Sequence, residues 1–267
     1  MLVNNVDETP HLLRLKDDEV PPVLEESCEG QSAYLLVADH FGGVIPRVLG
    51  DLGVPSSELK RHIAYDIGIA GVAQCLAKAL DAHLVAQRYS RLVIDCNRPP
   101  IAASSIPTVS ENTAVPGNEN LTSEARLDRR RLFFDPYHQF ITETINRRDR
   151  AARKTVLVSL HSFAPLYHGS VRPWHVGALY NRDSRVSHTM IDWLRREPGL
   201  MVGDNEPYCV DDETDYTIPV HAERRGLLHT GIEIRQDLIA DENGQRQWAD
   251  RLTHLFREIE PNLPNAP

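Results

Sequence analysis

The feature that most constrains this chain is the run Thr155-Val156-Leu157-Val158-Ser159-Leu160, which ends in His161-Ser162-Phe163. Six residues are too few for a buried helix. Apolar character on both parities suits a strand covered on both faces. Such a strand needs a sheet with helices on either side. Further short runs support that sheet: Ala33–Ala38, His83–Gln87, Arg91–Asp95, Trp174–Tyr180, Leu200–Val202 and His229–Arg235. Between them, Gly68 to Asp81 carries Ile69, Val72, Ala73, Leu76 and Leu80 at helical spacing. Helices are also expected to begin at Ser56-Ser57-Glu58, to span Glu124–Arg131, and to start afresh at Asp135-Pro136 and run to about Arg153. Two more are expected over Ser187–Glu197 and Gln245–Glu258. Strands separated by helices predict one α/β domain, a three-layer sandwich around a mixed, mostly parallel sheet. Residues 1–30 read as a surface arm with one short strand, and 31–267 as the domain. The stretch from Pro99 to Asn120 holds four prolines and reads as a long loop.

The charge balance, 29 basic against 38 acidic residues, excludes a general nucleic-acid binder. No apolar run reaches membrane-spanning length. The first twenty residues lack a basic-then-apolar leader pattern, so a cytoplasmic protein is expected. Cys28, Cys75, Cys96 and Cys209 are scattered, with no CxxC pair. They predict free thiols and no thiolate metal site. GxGxxG, P-loop, GxSxG and HExxH motifs are all missing, which leaves nucleotide binding, serine hydrolysis and zincin chemistry unsupported.

Ligands in open α/β sheets gather beyond the carboxyl ends of the strands. His40, Asp95 with Asn97 and Arg98, His161 and Glu233 fall at such places, and Asp66 joins them as a candidate. Two histidines, three carboxylates and an arginine suited to a carboxylate make a zinc-hydrolase set. Plainer roles compete. His40 can hydrogen-bond its own loop, and Asp66 can cap the helix near Gly68. Arg91, Asp95 and Arg98 can form an internal ion-pair network. Glu233, flanked by Ile232 and Ile234, must face water or a polar cleft, or pair with Arg235. His62, His83, His188, His221 and His254 have no constellation around them and read as surface or structural histidines.

The words AYLLVADHFGGVIPRVLGDLG, LKRHIAYDIGIAGVAQCLAKAL, YSRLVIDCNRPP, PYHQFI, VLVSLHSFAPLYHGSVRPWHVGALYNRD, NEPYCV and GIEIRQDLI, taken in order, resemble the N-formylglutamate amidohydrolase family. The resemblance runs from about residue 33 to 239. It implies a phosphorylase/hydrolase-like fold similar to zinc carboxypeptidases and aspartoacylase-type deacylases. It also implies a zinc ion held by two histidines and a carboxylate, a glutamate base, and an Asn-Arg clamp on the substrate carboxylate. Carried over by position, His40 and His161 match the histidines and Glu233 the base. Asn97 and Arg98 match the clamp, with Arg91 nearby. One departure stands out. The family's glutamate three residues after the first histidine is Gly43 here, so Asp66 is the candidate metal carboxylate, with Glu124 behind it. The expected function is a zinc-dependent amidohydrolase whose partner is a small N-acyl amino acid such as N-formylglutamate. The alternatives are a carboxypeptidase-like hydrolase of a small peptide or cell-wall fragment, and a non-catalytic protein that binds a carboxylated metabolite.

Overall fold

The computed structural model describes residues 13–264. Its strands are β1 (Val23–Glu26), β2 (Tyr34–Ala38), β3 (His83–Gln87), β4 (Val109–Ser110), β5 (Thr113–Ala114), β6 (Val156–Phe163), β7 (Leu166–Tyr167), β8 (Ser170–Val171), β9 (Val176–Leu179), β10 (Val202–Asp204) and β11 (Leu228–Arg235). Its α-helices are α1 (Ile69–Leu80), α2 (Ser123–Arg129), α3 (Asp135–Arg150), α4 (Arg185–Leu194) and α5 (Glu242–Ile259). Seven strands make one sheet in the order β1-β3-β2-β6-β11-β9-β10. The central four, β3, β2, β6 and β11, run parallel, while β1 pairs antiparallel with β3, β9 antiparallel with β11, and β10 parallel with β9. The mixed, mostly parallel sandwich is therefore as expected.

Side-chain alternation splits each central strand between two cores. Leu36, Leu84, Val158, Leu160 and Ile232 pack with residues of α1, α4 and α5, such as Leu76, Met190 and Leu252. Leu35, Val37, Val85 and Leu157 pack with Phe133, Tyr137, Ile141 and Ile145 on and before α3. Both faces are sealed, which is why the central strands read as apolar runs.

Several expectations are corrected. Arg91–Asp95 is a series of turns, not a strand. Its apolar residues Leu92, Val93 and Ile94 are buried against the α3 side of the sheet instead of joining the ladder. No fresh helix starts at Asp135: α2 continues through a π-helical turn, Arg130–Phe134, straight into α3. Pro136 fits because it falls just after that wide turn. The helix start at Ser56 yields only the 3-10 turn Glu58–Lys60. The 99–120 stretch holds the β4–β5 hairpin and buries Ser105, Ile106, Val115 and Asn118. The Asn118 amide donates to the carbonyls of Leu92 and Pro107, which anchors the stretch to the body. The strand expected in the N-terminal arm is β1 at the sheet edge, while residues 1–12 lie outside the described region.

Candidate functional site

The site occupies the carboxyl ends of β2, β6 and β11, three neighbours in the sheet. His161 lies within β6 and not beyond its end, where the sequence placed it. The β6–β11 ladder continues to Phe163 and places His161 beside Glu233 in register. On the α3 face, β6 presents Leu157, Ser159 and His161, and β11 presents His229, Gly231 and Glu233. The face thus turns polar toward the carboxyl edge.

Asp39 and His40 follow directly from β2. Asp66 comes from another segment, tied in by its amide donating to the His40 carbonyl at 2.9 Å. Helix α1 has Gly68 at its N-cap and no side-chain cap, so the capping role open to Asp66 is not taken. Its Oδ2 lies 3.0 Å from His161 Nδ1 and 3.5 Å from His40 Nδ1. The ligand atoms of His40, Asp66 and His161 all fall within 4.8 Å of one another, and all three residues are buried. The outer nitrogens face other carboxylates. His40 Nε2 is 2.8 Å from Asp95 Oδ1, and His161 Nε2 is 3.2 Å from Asp39 Oδ2 and 3.0 Å from Ser159 Oγ. A carboxylate on the outer nitrogen is the usual way to orient a metal-ligating imidazole. Arg91 donates to Asp95 through Nη2 at 2.6 Å, and its Nη1 lies 3.6 Å from Asp66. The ion-pair reading of Arg91 and Asp95 therefore holds, and that pair borders the site.

The charges explain the protonation of this cluster. Burial resists ionisation of Asp39, Asp66 and Asp95, but the neighbouring imidazoles and, at Asp95, Arg91 hold all three carboxyls below their ordinary values, Asp39 at about 2. The imidazoles are raised in turn, against burial, by those carboxylates. Three carboxylates around the single cation Arg91 leave an excess of two negative charges. Two protons on the imidazoles balance it, and so does one divalent cation. His40 Nδ1 is buried without a hydrogen-bond partner, and so is Glu233 Oε2. Donor set, charge and orphaned atoms all fit a small divalent metal such as zinc.

Burial pushes the Glu233 carboxyl up to about 7 against the attraction of His161. The alternative pairing with Arg235 does not occur, because Arg235 turns to Asp237 at 2.8 Å. A cavity of about 230 Å³ lies over this group, and seven of the candidate residues border it: His40, Asp66, Arg91, Asn97, Arg98, His161 and Glu233. Glu124 is elsewhere, in the first turn of α2 and beside a separate groove. A Cβ at Gly43 would stand 2.8 Å from the Tyr65 ring, and the carboxylate beside the two histidines is that of Asp66, one residue after this tyrosine.

Asn97 and Arg98 bind the opposite wall. Asn97 Oδ1 accepts from the amides of Tyr216 and Thr217 at 3.1 Å, and its Nδ2 donates to Asp215 at 2.9 Å. Arg98 Nη1 donates to the Thr214 carbonyl at 2.7 Å.

Sequence reasoning missed Asp39 and Thr217, which donates to Asp39 at 2.6 Å. It also missed Glu111 and Asp215 on the cavity wall, and it set aside His62, which borders the cavity beside Glu111. His83, also set aside, pairs with Glu25 at 2.9 Å. Asp39 carried a signal: a carboxylate at the end of a fully buried run must find a partner. Glu111, Asp215 and His62 lie on loops with no local pattern.

A family model described as N-formylglutamate amidohydrolase matches residues 32–240. No curated protein matches the chain. The crystal structure of a gene product from Agrobacterium tumefaciens is similar at 38% identity and a TM-score of 0.90, covering 93% of this chain and 98% of that one. An N-formylglutamate amidohydrolase from Ralstonia eutropha shares the fold at a TM-score of 0.67 and 18% identity, covering 91% and 98%. The family match spans the segments that carry His40, Asp66, Asn97, Arg98, His161 and Glu233, and this chain belongs to the N-formylglutamate amidohydrolase family.

Proposed function

We propose that the protein is a metal-dependent amidohydrolase that removes the acyl group from a small N-acyl amino acid, N-formylglutamate being the substrate named by the family. One observation carries this reading: the buried His40–Asp66–His161 triangle lies under the same cavity as Glu233, a buried carboxyl with a free oxygen. A divalent ion, zinc by its donor set, supplies Lewis acidity to the amide carbonyl when held by that triangle. Glu233 accepts the proton of the attacking water and returns it to the leaving amine. Burial raises its carboxyl to about 7, which suits a group that must both take and give a proton. Arg98 and Arg91 hold the substrate carboxylate from the cavity wall, with the second N–H of the Asn97 amide beside them. That grip orients the amide toward the base. Asp39 and Asp95 keep the two imidazoles turned toward Asp66.

A cavity of about 230 Å³ suits a small metabolite. It is below the roughly 300–1,000 Å³ of drug-sized sites, which favours a deacylase over a hydrolase of extended peptides. Among the described residues no helix is long and apolar enough to cross a membrane. The test pairs elemental analysis of protein purified without added metal with amine release from N-formyl and N-acetyl amino acids. About one divalent ion per chain and turnover of a small N-acyl amino acid are expected. Metal-free protein that stays inactive after zinc is added overturns the reading.

A further inference from the structure

Two histidines outside the cavity are joined beneath its wall. His138, in α3, is buried, and so is His221 in the π-helical turn Ile218–Ala222. His138 Nε2 lies 2.8 Å from the carbonyl of Cys96, and His138 Nδ1 lies 2.8 Å from His221 Nε2. A carbonyl only accepts, so His138 donates through Nε2; burial keeps the ring neutral, so its Nδ1 accepts from His221. The order of donors is thereby set, and both rings are neutral. Phe134 and Tyr216 pack on the His138 ring at 4.2 and 4.5 Å between centroids, which fixes its plane.

Both ends of this chain lead to the site. Cys96 sits between Asp95, which holds His40, and Asn97. His221 follows the Asp215–Ile218 segment, whose Thr217 holds Asp39 and whose amides at Tyr216 and Thr217 seat on Asn97. We infer that His138 and His221 are positioning residues. Their hydrogen bond ties the turn of Asp95, Asn97 and Arg98 to the segment of Asp215–Ile218 and so sets the geometry of the substrate-binding wall. Neither ring borders the cavity, so the pair acts through the wall and not on substrate. The sequence word PYHQFI, which has no residue in the cavity, gains a role by this contact: its histidine reaches the DCNRPP word.

The inference rests partly on the deacylase reading, so its test has one arm that needs no substrate. His221→Leu removes the donor, and His221→Gln offers an amide N–H in its place. The first arm follows hydrogen exchange of the Tyr216 and Thr217 amides against amides of β6. His221→Leu is expected to speed exchange at those two amides by about tenfold or more, with β6 unchanged, and His221→Gln to restore protection. The second arm measures N-acyl amino acid turnover, where His221→Leu should raise KM about tenfold with kcat kept within about threefold. Again, His221→Gln should return the value toward the parent. Equal acceleration across wall and β6, or no rescue by glutamine, reduces the pair to ordinary core packing and overturns the inference. If His221→Leu does not fold, His221→Asn, whose amide stops short of His138, takes its place in both arms. Should no substrate be turned over, the exchange arm still decides the positioning role while the deacylase reading falls.

Discussion

At Glu233 the relevant physics is desolvation. The carboxyl is buried, one oxygen has no partner, and the nearest arginine along the strand is committed to Asp237. Glu233→Gln keeps shape and volume while removing the proton acceptor. Steady-state kinetics should show kcat lowered on the order of 100-fold or more with KM largely kept. A fall in binding with kcat intact would remove Glu233 from the chemistry. Asp66 is a different case, since its carboxylate faces two imidazoles and Arg91 at once. Asp66→Asn removes the ligand charge, so zinc affinity by competitive chelator titration should fall by roughly 10-fold to 100-fold or more. Affinity equal to the parent would place the metal elsewhere. Arg98→Ala should leave metal affinity alone and raise KM, because a substrate carboxylate then lacks its partner.

At the scale of elements, the site depends on how the end of β2 turns over β3. Gly42 donates its amide to the Gln87 carbonyl at 3.0 Å, and a Cβ at this position would stand 2.0 Å from the Arg88 carbonyl oxygen. Backbone cannot yield by rotating a side chain. Gly42→Ala should therefore cost about 1–3 kcal/mol by overpacking, read as a drop in thermal midpoint. It should also weaken zinc binding, because His40 lies two residues before the displaced turn. Unchanged stability and metal affinity would show that this turn is free to rearrange. The helical layer shows the same dependence of chemistry on packing. The continuous helix through α2 and α3 brings His138 under the wall, and a break at Asp135 would leave it unanchored.

For the whole molecule, the neutral imidazole pair links folding to pH. Burial pushes His138 down to about 4 and His221 to about 3. Asp39 pulls both rings upward and Arg225 opposes charge on His221, but burial dominates in each. Unfolded histidines bind protons near pH 6.5, and the folded pair does not. Both folded values are depressed, so the stability they contribute is present above about pH 6.5 and is lost as pH falls toward 4. The slope is about 1.4 kcal/mol per pH unit for each ring that stays neutral. Urea unfolding at pH 6.5 and 5.0 should show this loss, and His221→Gln should reduce it by roughly 1.5 kcal/mol. An identical loss in the variant would mean that other groups carry the acid sensitivity.

Much of this molecule follows from patterns a few residues long. The continuous apolar runs at Val156–Leu160 and Tyr34–Ala38 and the near-helical spacing over Ile69–Leu80 determine strands and helix locally, because the strands must be covered on both faces and the helix along one. His40 and His161 were legible because each stands where a buried strand ends or turns polar, and a polar group there must meet a crevice. The family words added roles for Glu233, Asn97 and Arg98, already singled out at strand ends, and the missing glutamate at Gly43. What only the tertiary structure decided is what depends on contacts between distant segments. Arg91–Asp95 has the composition of a strand but joins no ladder, because Leu92, Val93 and Ile94 are buried instead in the core on the α3 side. Asp66, a candidate already in the sequence, reaches the two histidines because its backbone amide is bound to the His40 carbonyl. Asp39, Thr217, His138 and His221 acquire their roles from hydrogen bonds spanning 42 to 178 residues, from His138 with Cys96 to Thr217 with Asp39. Local sequence specifies which surfaces must be buried, whereas the partners of buried polar groups are chosen only when the sheet brings distant strand ends to one edge.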